Sequence, residues 1–229
     1  MAYTTINKGS LYMNPVLYTG NGGTQSITGV NFQPDFVWYK SRSNAYNHGL
    51  FDSIRGASKF LKSNSTDAES TISGVTAFNS DGFSVGSDAG SNGNGATFAA
   101  WNWKAGTSFT NDASGTGIGT IDSTGSVNTD AGFSICSYTG SGSNGTVKHG
   151  LNSVPKMIIL KNRDSAENWI VGNTSLGWTK YLALNLTDSV STASNIWQDT
   201  TPTSSVFSIG ASGKVNGSSN GMVVYAFAE

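Results

Sequence analysis

A chain of 229 residues is long enough for one large domain or for two domains of about 100 residues each. Charged residues make up only 12% of it and the net charge is −1, so no basic stripe of the kind that binds nucleic acid is present. No run approaches the roughly 20 apolar residues of a membrane helix and the first residues lack the apolar core of a secretory signal, so we expect a protein made in a cytosol, without membrane insertion.

Short polar residues supply most of the polarity of this chain, and they predict an all-β fold. Ser, Thr and Asn compete with helical backbone hydrogen bonds and favour turns, as do the 29 glycines. The apolar runs are short and rich in aromatic and β-branched residues, which is typical of strands. We therefore expect short antiparallel strands joined by tight loops, with little helix.

The first segment, residues 1–15, precedes any recognisable core pattern. Short polar termini are ordered mainly where something holds them. We therefore predict an extended N-terminal arm that is used for docking or subunit exchange.

Residues 16–104 follow as a first predicted β-sandwich. Apolar runs at 36–39 and 97–103 are interpreted as strands, and Asn92-Gly93 has the composition of a tight hairpin turn before the last strand. Most aromatic residues of this segment, including Trp38, Trp101 and Trp103, are expected in the core.

Residues 105–131 are rich in Gly, Ser, Thr and Asp and contain few large apolar side chains. This composition is typical of a flexible connector. We predict that the segment separates two domains.

Residues 132–229 repeat the pattern of the first sandwich. Tyr18-Thr19-Gly20 recurs as Tyr138-Thr139-Gly140, and a longer series matches at a constant spacing: Gly56, Lys59, Leu61, Asn64 and Asp67 with Gly177, Lys180, Leu182, Asn185 and Asp188. A repeated unit fixes the domain count before any motif is considered. The sequence therefore predicts two tandem antiparallel β-sandwiches, jelly-roll or concanavalin-like, related by internal duplication.

No pattern in the chain predicts catalysis. The only histidines, His48 and His149, do not occupy equivalent positions in the two copies, and no base is therefore evident for a nucleophilic triad. No acid pair of the glycosidase type is evident either. Cys136, the single cysteine, is expected to be a small buried strand residue. We therefore expect no enzyme.

A bound metal or cofactor is not expected. Residues 88–94 offer oxygens at alternate positions but lack the later bidentate acid of a calcium loop, and the second copy carries Lys214 there. The glycine-rich stretch at 115–119 is preceded by no strand and followed by no helix, so phosphate binding is not supported either.

The polar loop at 43–48 is the preferred contact surface. Arg42, Tyr46 and His48 combine charge, an aromatic ring and a hydrogen-bonding ring in a segment expected to face solvent. Exposed aromatic and arginine side chains are frequent at binding surfaces.

Several segments together carry a resemblance to a known family: residues 2–6, 18–22, 30–38, 50–57, 77–83, 100–103 and 226–229. On these segments the chain resembles virion-associated proteins of bacteriophages that infect marine bacteria. The resemblance implies a virion structural protein and supplies no catalytic residues. Because no fibre shaft or coiled-coil heptads are present, we expect a capsid decoration or head-fibre subunit bound to coat or other virion proteins.

Two alternatives remain open beside this interpretation. One is a lectin-like adhesin of a tail or head fibre that binds host surface glycans, and the other, a depolymerase, is disfavoured by the missing acid pair. In either virion role we expect a homo-oligomer, with a trimer favoured because appendages on icosahedral particles often obey threefold axes.

Overall fold

The computed structural model describes residue 6 and residues 8–228 of the chain. It is all-β, with 41% strand and 9% helix, and its sheets are antiparallel, as the composition predicts. The chain divides into two compact units. Residues up to 63 together with 69–105 form the first unit, and residues 64–68 together with 106–229 form the second.

The first unit contains two sheets. After a short 3-10 helix at Gly9–Leu11, its elements are β1 (Met13–Thr19), β2 (Gln25–Ile27), β3 (Phe36–Ser41), β4 (Gly49–Asp52), β5 (Lys59–Lys62), β6 (Ser70–Thr71), β7 (Val75–Asn79), β8 (Gly82–Val85), α1 (Ala89–Asn92) and β9 (Thr97–Trp103). The main sheet has the order β1-β9-β3-β4-β5-β6, and the smaller one β2-β8-β7. A core cluster that includes Val37, Tyr39, Phe51 and Phe83 draws on strands of both sheets.

The second unit is larger. Its elements are β10 (Thr107–Asn111), α2 (Ala113–Thr116), β11 (Ser123–Asn128), β12 (Phe133–Thr139), β13 (Gly145–Lys148), β14 (Met157–Asn162), β15 (Ile170–Asn173), β16 (Lys180–Ala183), β17 (Ser191–Thr192), α3 (Ser194–Trp197), β18 (Val206–Ile209), α4 (Gly213–Asn216) and β19 (Gly221–Phe227). The main sheet has the order β10-β11-β12-β19-β14-β15-β16-β17, and β13 pairs with β18.

The two main sheets share one strand order and register. From β12 to β17 the second sheet repeats the order of the first from β1 to β6. Phe36 lies opposite Trp103 in the first unit, and Met157 lies opposite Phe227 in the second. The same hydrogen bond, 2.8 Å long in both units, closes the end of the first strand: Gly20 N–H donates to Ala96, and Gly140 N–H donates to Asn220.

The predicted connector at 105–131 is wrong in its structural role. Its residues form β10 and β11, which extend the second main sheet beyond β12. One of its few large apolar side chains packs closely within the sheet. The Phe109 ring lies over Gly125, where an added Cβ would come within 2.5 Å of it. A glycine opposite a large ring lets a polar segment pack onto a sheet.

The predicted N-terminal arm at 1–15 ends earlier than expected, because β1 begins at Met13 and pairs with β9. Pro15 is therefore a strand residue. Residues 1–5 and 7 lie outside the described residues, and so does that part of the arm that the sequence predicts.

The predicted hairpin turn at Asn92-Gly93 is also wrong, and the Asn216-Gly217 pair of the second unit has the same conformation. Asn92 and Asn216 each end a short helix, and the glycines that follow have φ angles of −54° and −55°, not the positive values of such a turn. Both asparagines are buried. The Asn92 amide donates to the carbonyls of Gly23 and Gly86, both at 2.8 Å, so its function is to hold loops together.

Candidate contact surfaces

The predicted contact loop faces solvent in the first unit. Arg42 and Tyr46 are exposed, with 43% of Tyr46 accessible, whereas His48 is half-buried. Tyr46 also borders a small cleft of about 160 Å³ together with Asp88. The structure thus brings the three predicted residues into one loop.

A lysine holds this loop in shape. Lys40 Nζ donates to the carbonyls of Tyr46 at 2.9 Å and Asn44 at 3.3 Å. The Thr97 N–H donates to Ser43 Oγ at 3.0 Å, so that the loop is also fixed to β9. Lys40 thus fixes the loop through main-chain carbonyls, and the side chains of Arg42 and Tyr46 stay exposed.

The second unit builds the equivalent loop in the same way. Lys161 Nζ donates to the carbonyls of Asn162 at 2.6 Å and Ser165 at 3.1 Å. Gly221 N–H donates to Asp164 Oδ2 at 2.6 Å, in place of the bond between Thr97 and Ser43. Lys161 is fully buried, and burial lowers the pKa of its amine to about 8, an effect that nearby Glu167 opposes.

The side chains that the two loops display are different. At a constant spacing, Tyr46 corresponds to Glu167 and His48 to Trp169, which is fully buried. Burial, and then the Lys40 charge, lower the pKa of His48. The two loops therefore have their backbones fixed by a lysine in the same position, but they expose different side chains to a binding partner.

A polar groove of about 410 Å³ lies in the second unit, beside the two added strands. Arg163, which corresponds to Arg42, is one of its lining residues; others are Thr110, Asn111, Asp112, Asp122, Ser137 and Thr139. Sequence reasoning missed this groove because half of it comes from the segment interpreted as a connector. The arginine that both halves share, Arg42 in one and Arg163 in the other, was the sequence feature that could have indicated the groove.

The acids of the groove help to shape its rim. Asp112 accepts hydrogen bonds from Ser114 Oγ at 2.7 Å and from Gly115 N–H at 3.0 Å, and these bonds lower the pKa of its carboxyl group. Asp122 accepts from Ala113 N–H at 2.8 Å. The groove therefore offers hydroxyl, amide and carboxylate oxygens beside a guanidinium, a chemistry suited to polar ligands.

An apolar surface covers the outer face of β1 and β9. Leu17 is 68% exposed, Pro15 lies opposite Trp101, and Trp101 is 37% exposed. The core position expected for Trp101 is therefore wrong. Because diagonal neighbours on one sheet face lie about 7–8 Å apart, Leu17 and Trp101 form a continuous patch with Pro15. We call these three residues the apolar patch.

Sequence reasoning missed the apolar patch because it assigned Pro15 to an arm and Trp101 to the core. The usable signal was the alternation along β1. Val16 and Tyr18 pack against the core cluster, so their neighbours Pro15 and Leu17 must face outwards.

The titratable groups of the second core are inert. Burial raises the pKa of the Cys136 thiol to about 12, consistent with the buried position that the sequence predicts. Burial lowers the pKa of His149 to about 4. His149 Nδ1 accepts from Leu151 N–H at 3.2 Å and Nε2 donates to the Thr203 carbonyl at 3.2 Å, so the ring is neutral and fully bonded.

Within the described part of the chain, no group of three or more His, Cys, Asp or Glu side chains could hold a metal ion. No helix among those residues is long and apolar enough to span a membrane.

Comparison with known proteins identifies a family. The model of a family described as a domain of unknown function, DUF7483, matches residues 8–229. No curated protein and no solved structure matches the chain.

Proposed function

The chain belongs to the DUF7483 family of unknown function, and we propose that it is a bacteriophage virion protein, a capsid decoration or head-fibre subunit that acts by protein–protein assembly. The apolar patch carries this proposal. Contiguous exposed apolar surface on a folded protein is typical of an interaction site, and an aromatic ring within it is typical of an energetic anchor. The virion as the place of assembly is supported by the sequence resemblance alone.

Internal duplication into two β-sandwiches is part of the proposal. Its support is the common strand order, the common register and the lysine-held loop that both units share. Two similar units in one chain double the number of weak contacts that a particle can make. Linked weak contacts raise avidity without any new type of contact.

Direct location of the chain tests the proposal. Particles of a phage that encodes the protein should contain it, visible by mass spectrometry of purified virions and as all-β density on the capsid by cryo-electron microscopy. Because charged residues make up only 12% of the chain, attachment to the particle should survive a rise from low to high salt. Absence from purified particles, or release at moderate salt, would overturn the proposal.

A glycan-binding adhesin is the second candidate, and the polar groove favours it. Sugar hydroxyls match the hydroxyl, amide and carboxylate groups around Arg163. Tight binding to a glycan array by an isolated, strictly monomeric chain, lost in Arg163→Ala and retained in Arg42→Ala, would favour this function over assembly.

A further inference from the structure

The outer edge of β1 has no strand beside it in the part of the chain that the structure describes. Tyr12 accepts from Lys104 N–H and Gly20 donates to Ala96, so even-numbered residues of β1 direct their backbone polar groups towards β9. Backbone groups alternate in direction along an antiparallel strand. Leu17 and Thr19 therefore direct their N–H and C=O groups to this edge, where the Thr19 carbonyl accepts from Gln25 Nε2 at 3.0 Å.

The second unit shows that this fold accepts an antiparallel strand at the same place. There β11 lies along β12, with Thr124 opposite Ser137 and Ser126 opposite Ile135. Ser137 and Ile135 occupy the positions of Leu17 and Pro15. The edge that β11 covers in one unit thus has no covering strand among the described residues of the other.

The β1 edge carries little of the protection that exposed edges usually have. It has no charged side chain, and its most exposed apolar residue is Leu17. Pro15 is a blocking device, and it stands where its missing N–H faces outwards, the position in which a strand tolerates proline. Leu17 and Thr19 keep their edge donors.

We propose that β1 pairs antiparallel with β1 of a second copy of this chain, around a twofold axis at Leu17. In this register each Leu17 N–H donates to the Leu17 carbonyl of the other copy. Each Thr19 N–H donates to the Pro15 carbonyl opposite, so Pro15 serves as an acceptor and needs no donor. The inference rests on the proposed assembly function and names the partner of its apolar patch.

A second copy fits this edge for three reasons. Antiparallel pairing of identical strands is self-complementary, which a twofold interface requires. No like charges meet, because β1 carries none. The two Leu17 side chains face one another on the same side of the joined sheet, flanked by Trp101 of each copy. The contact is twofold, so the trimer favoured by the sequence would need a different surface.

Light scattering coupled to size exclusion tests the pairing on the full chain. We expect the mass to rise from one chain towards two with increasing protein concentration, and Leu17→Lys to remain monomeric, because it places two lysines face to face. Leu186→Lys is the matched control, since Leu186 is exposed in the second unit, and it should dimerise as the wild type does. Thr19→Pro removes an edge donor without adding charge and should also weaken the dimer.

Far-ultraviolet circular dichroism and thermal unfolding establish that each variant is folded. If Leu17→Lys fails to fold, the oligomeric state of Thr19→Pro tests the pairing instead. A wild-type chain that stays monomeric at every concentration overturns the inference, as does a dimer that Thr19→Pro leaves intact. If the chain is monomeric but is found on virions, the pairing is overturned and the proposed function stands. If the chain dimerises but is absent from virions, the proposed function is overturned and the pairing stands.

Discussion

The cores of the two units fill one space with different side chains. In the first unit Phe51 lies against Gly74, where an added Cβ would come within 2.6 Å of the ring. In the second unit Gly172 takes the place of Phe51, and Trp178 and Trp197 lie over it. Strand order and register are the same in both. The backbone ladders therefore define this fold, and core volume can move between positions provided that the total is kept.

The units differ again at the turn after β4, where the first has a buried ion pair and the second does not. Arg55 Nε lies 2.5 Å from Asp52 Oδ2, and Arg55 Nη1 lies 3.0 Å from Glu69 Oε2. At a constant spacing the second unit has Asn173, Leu176 and Val190 instead. The same turn can thus be stabilised by charge pairing or by neutral residues.

Removing Arg55 should have the largest effect. Arg55→Leu leaves Asp52 buried without its cation, and loss of one partner of a buried pair costs about 3–5 kcal/mol. The triple variant Asp52→Asn, Arg55→Leu, Glu69→Val copies the second unit and should recover much of that loss. Urea unfolding measures both. A triple variant less stable than Arg55→Leu would mean that the two turns are not interchangeable.

Acid should destabilise the second unit through His149. The unfolded histidine takes up a proton below pH 6.5, whereas the folded one stays neutral to about pH 4. The contribution of neutral His149 to the free energy of unfolding is therefore fully present above pH 6.5. It is lost progressively between pH 6.5 and 4, a decrease of about 3 kcal/mol. The corresponding turn of the first unit, residues 27–30, has no histidine.

Unfolding curves across this pH range measure the effect. The slope should flatten in His149→Gln and persist in His48→Gln, which alters a half-buried loop residue. An unchanged slope in His149→Gln would show that another group is responsible.

Phe109→Ala should loosen the two added strands. The Phe109 ring lies over Gly125 and Gly150 and is half-buried, so we expect a loss of about 2 kcal/mol, below the roughly 3–5 kcal/mol of a fully buried phenylalanine. Amide exchange along β12 should accelerate as β11 detaches. Unchanged exchange at Ser137 would contradict the anchoring role of this ring.

A methyl group at Gly172 should have the smallest effect on stability. The Cβ of Gly172→Ala would lie 2.5 Å from the Trp178 ring, and overpacking of this kind costs about 1–2 kcal/mol. Gly213→Ala is the control, because its Cβ would meet nothing closer than 3.7 Å. Equal melting temperatures for the two variants would argue against the tight contact between Gly172 and the tryptophans.

The sequence predicts local chemistry better than it predicts sheet edges. Strand composition gives the all-β class, and the polar loop at Arg42 and Tyr46 is exposed as expected. The edges depend on pairing between distant segments, which composition does not reveal. The segment that Phe109 anchors has the composition of a connector. The glycine that accommodates the Phe109 ring lies 16 residues away, so the contact is not evident from the local sequence. Trp101 is predicted to lie in the core, because tryptophan side chains on strands are buried to a large extent on average.

The β1 edge of the first unit differs from the β12 edge of the second: among the described residues no strand lies beside β1 on its outer side, whereas β11 covers β12. Amide hydrogen exchange at Leu17 and at Ser137, its counterpart on β12, tests this directly. We expect that Ser137 is protected at every protein concentration, whereas protection of Leu17 is low in dilute protein and rises with concentration. Protection of Leu17 equal to that of Ser137 at the lowest concentration, or absent at the highest, would contradict it.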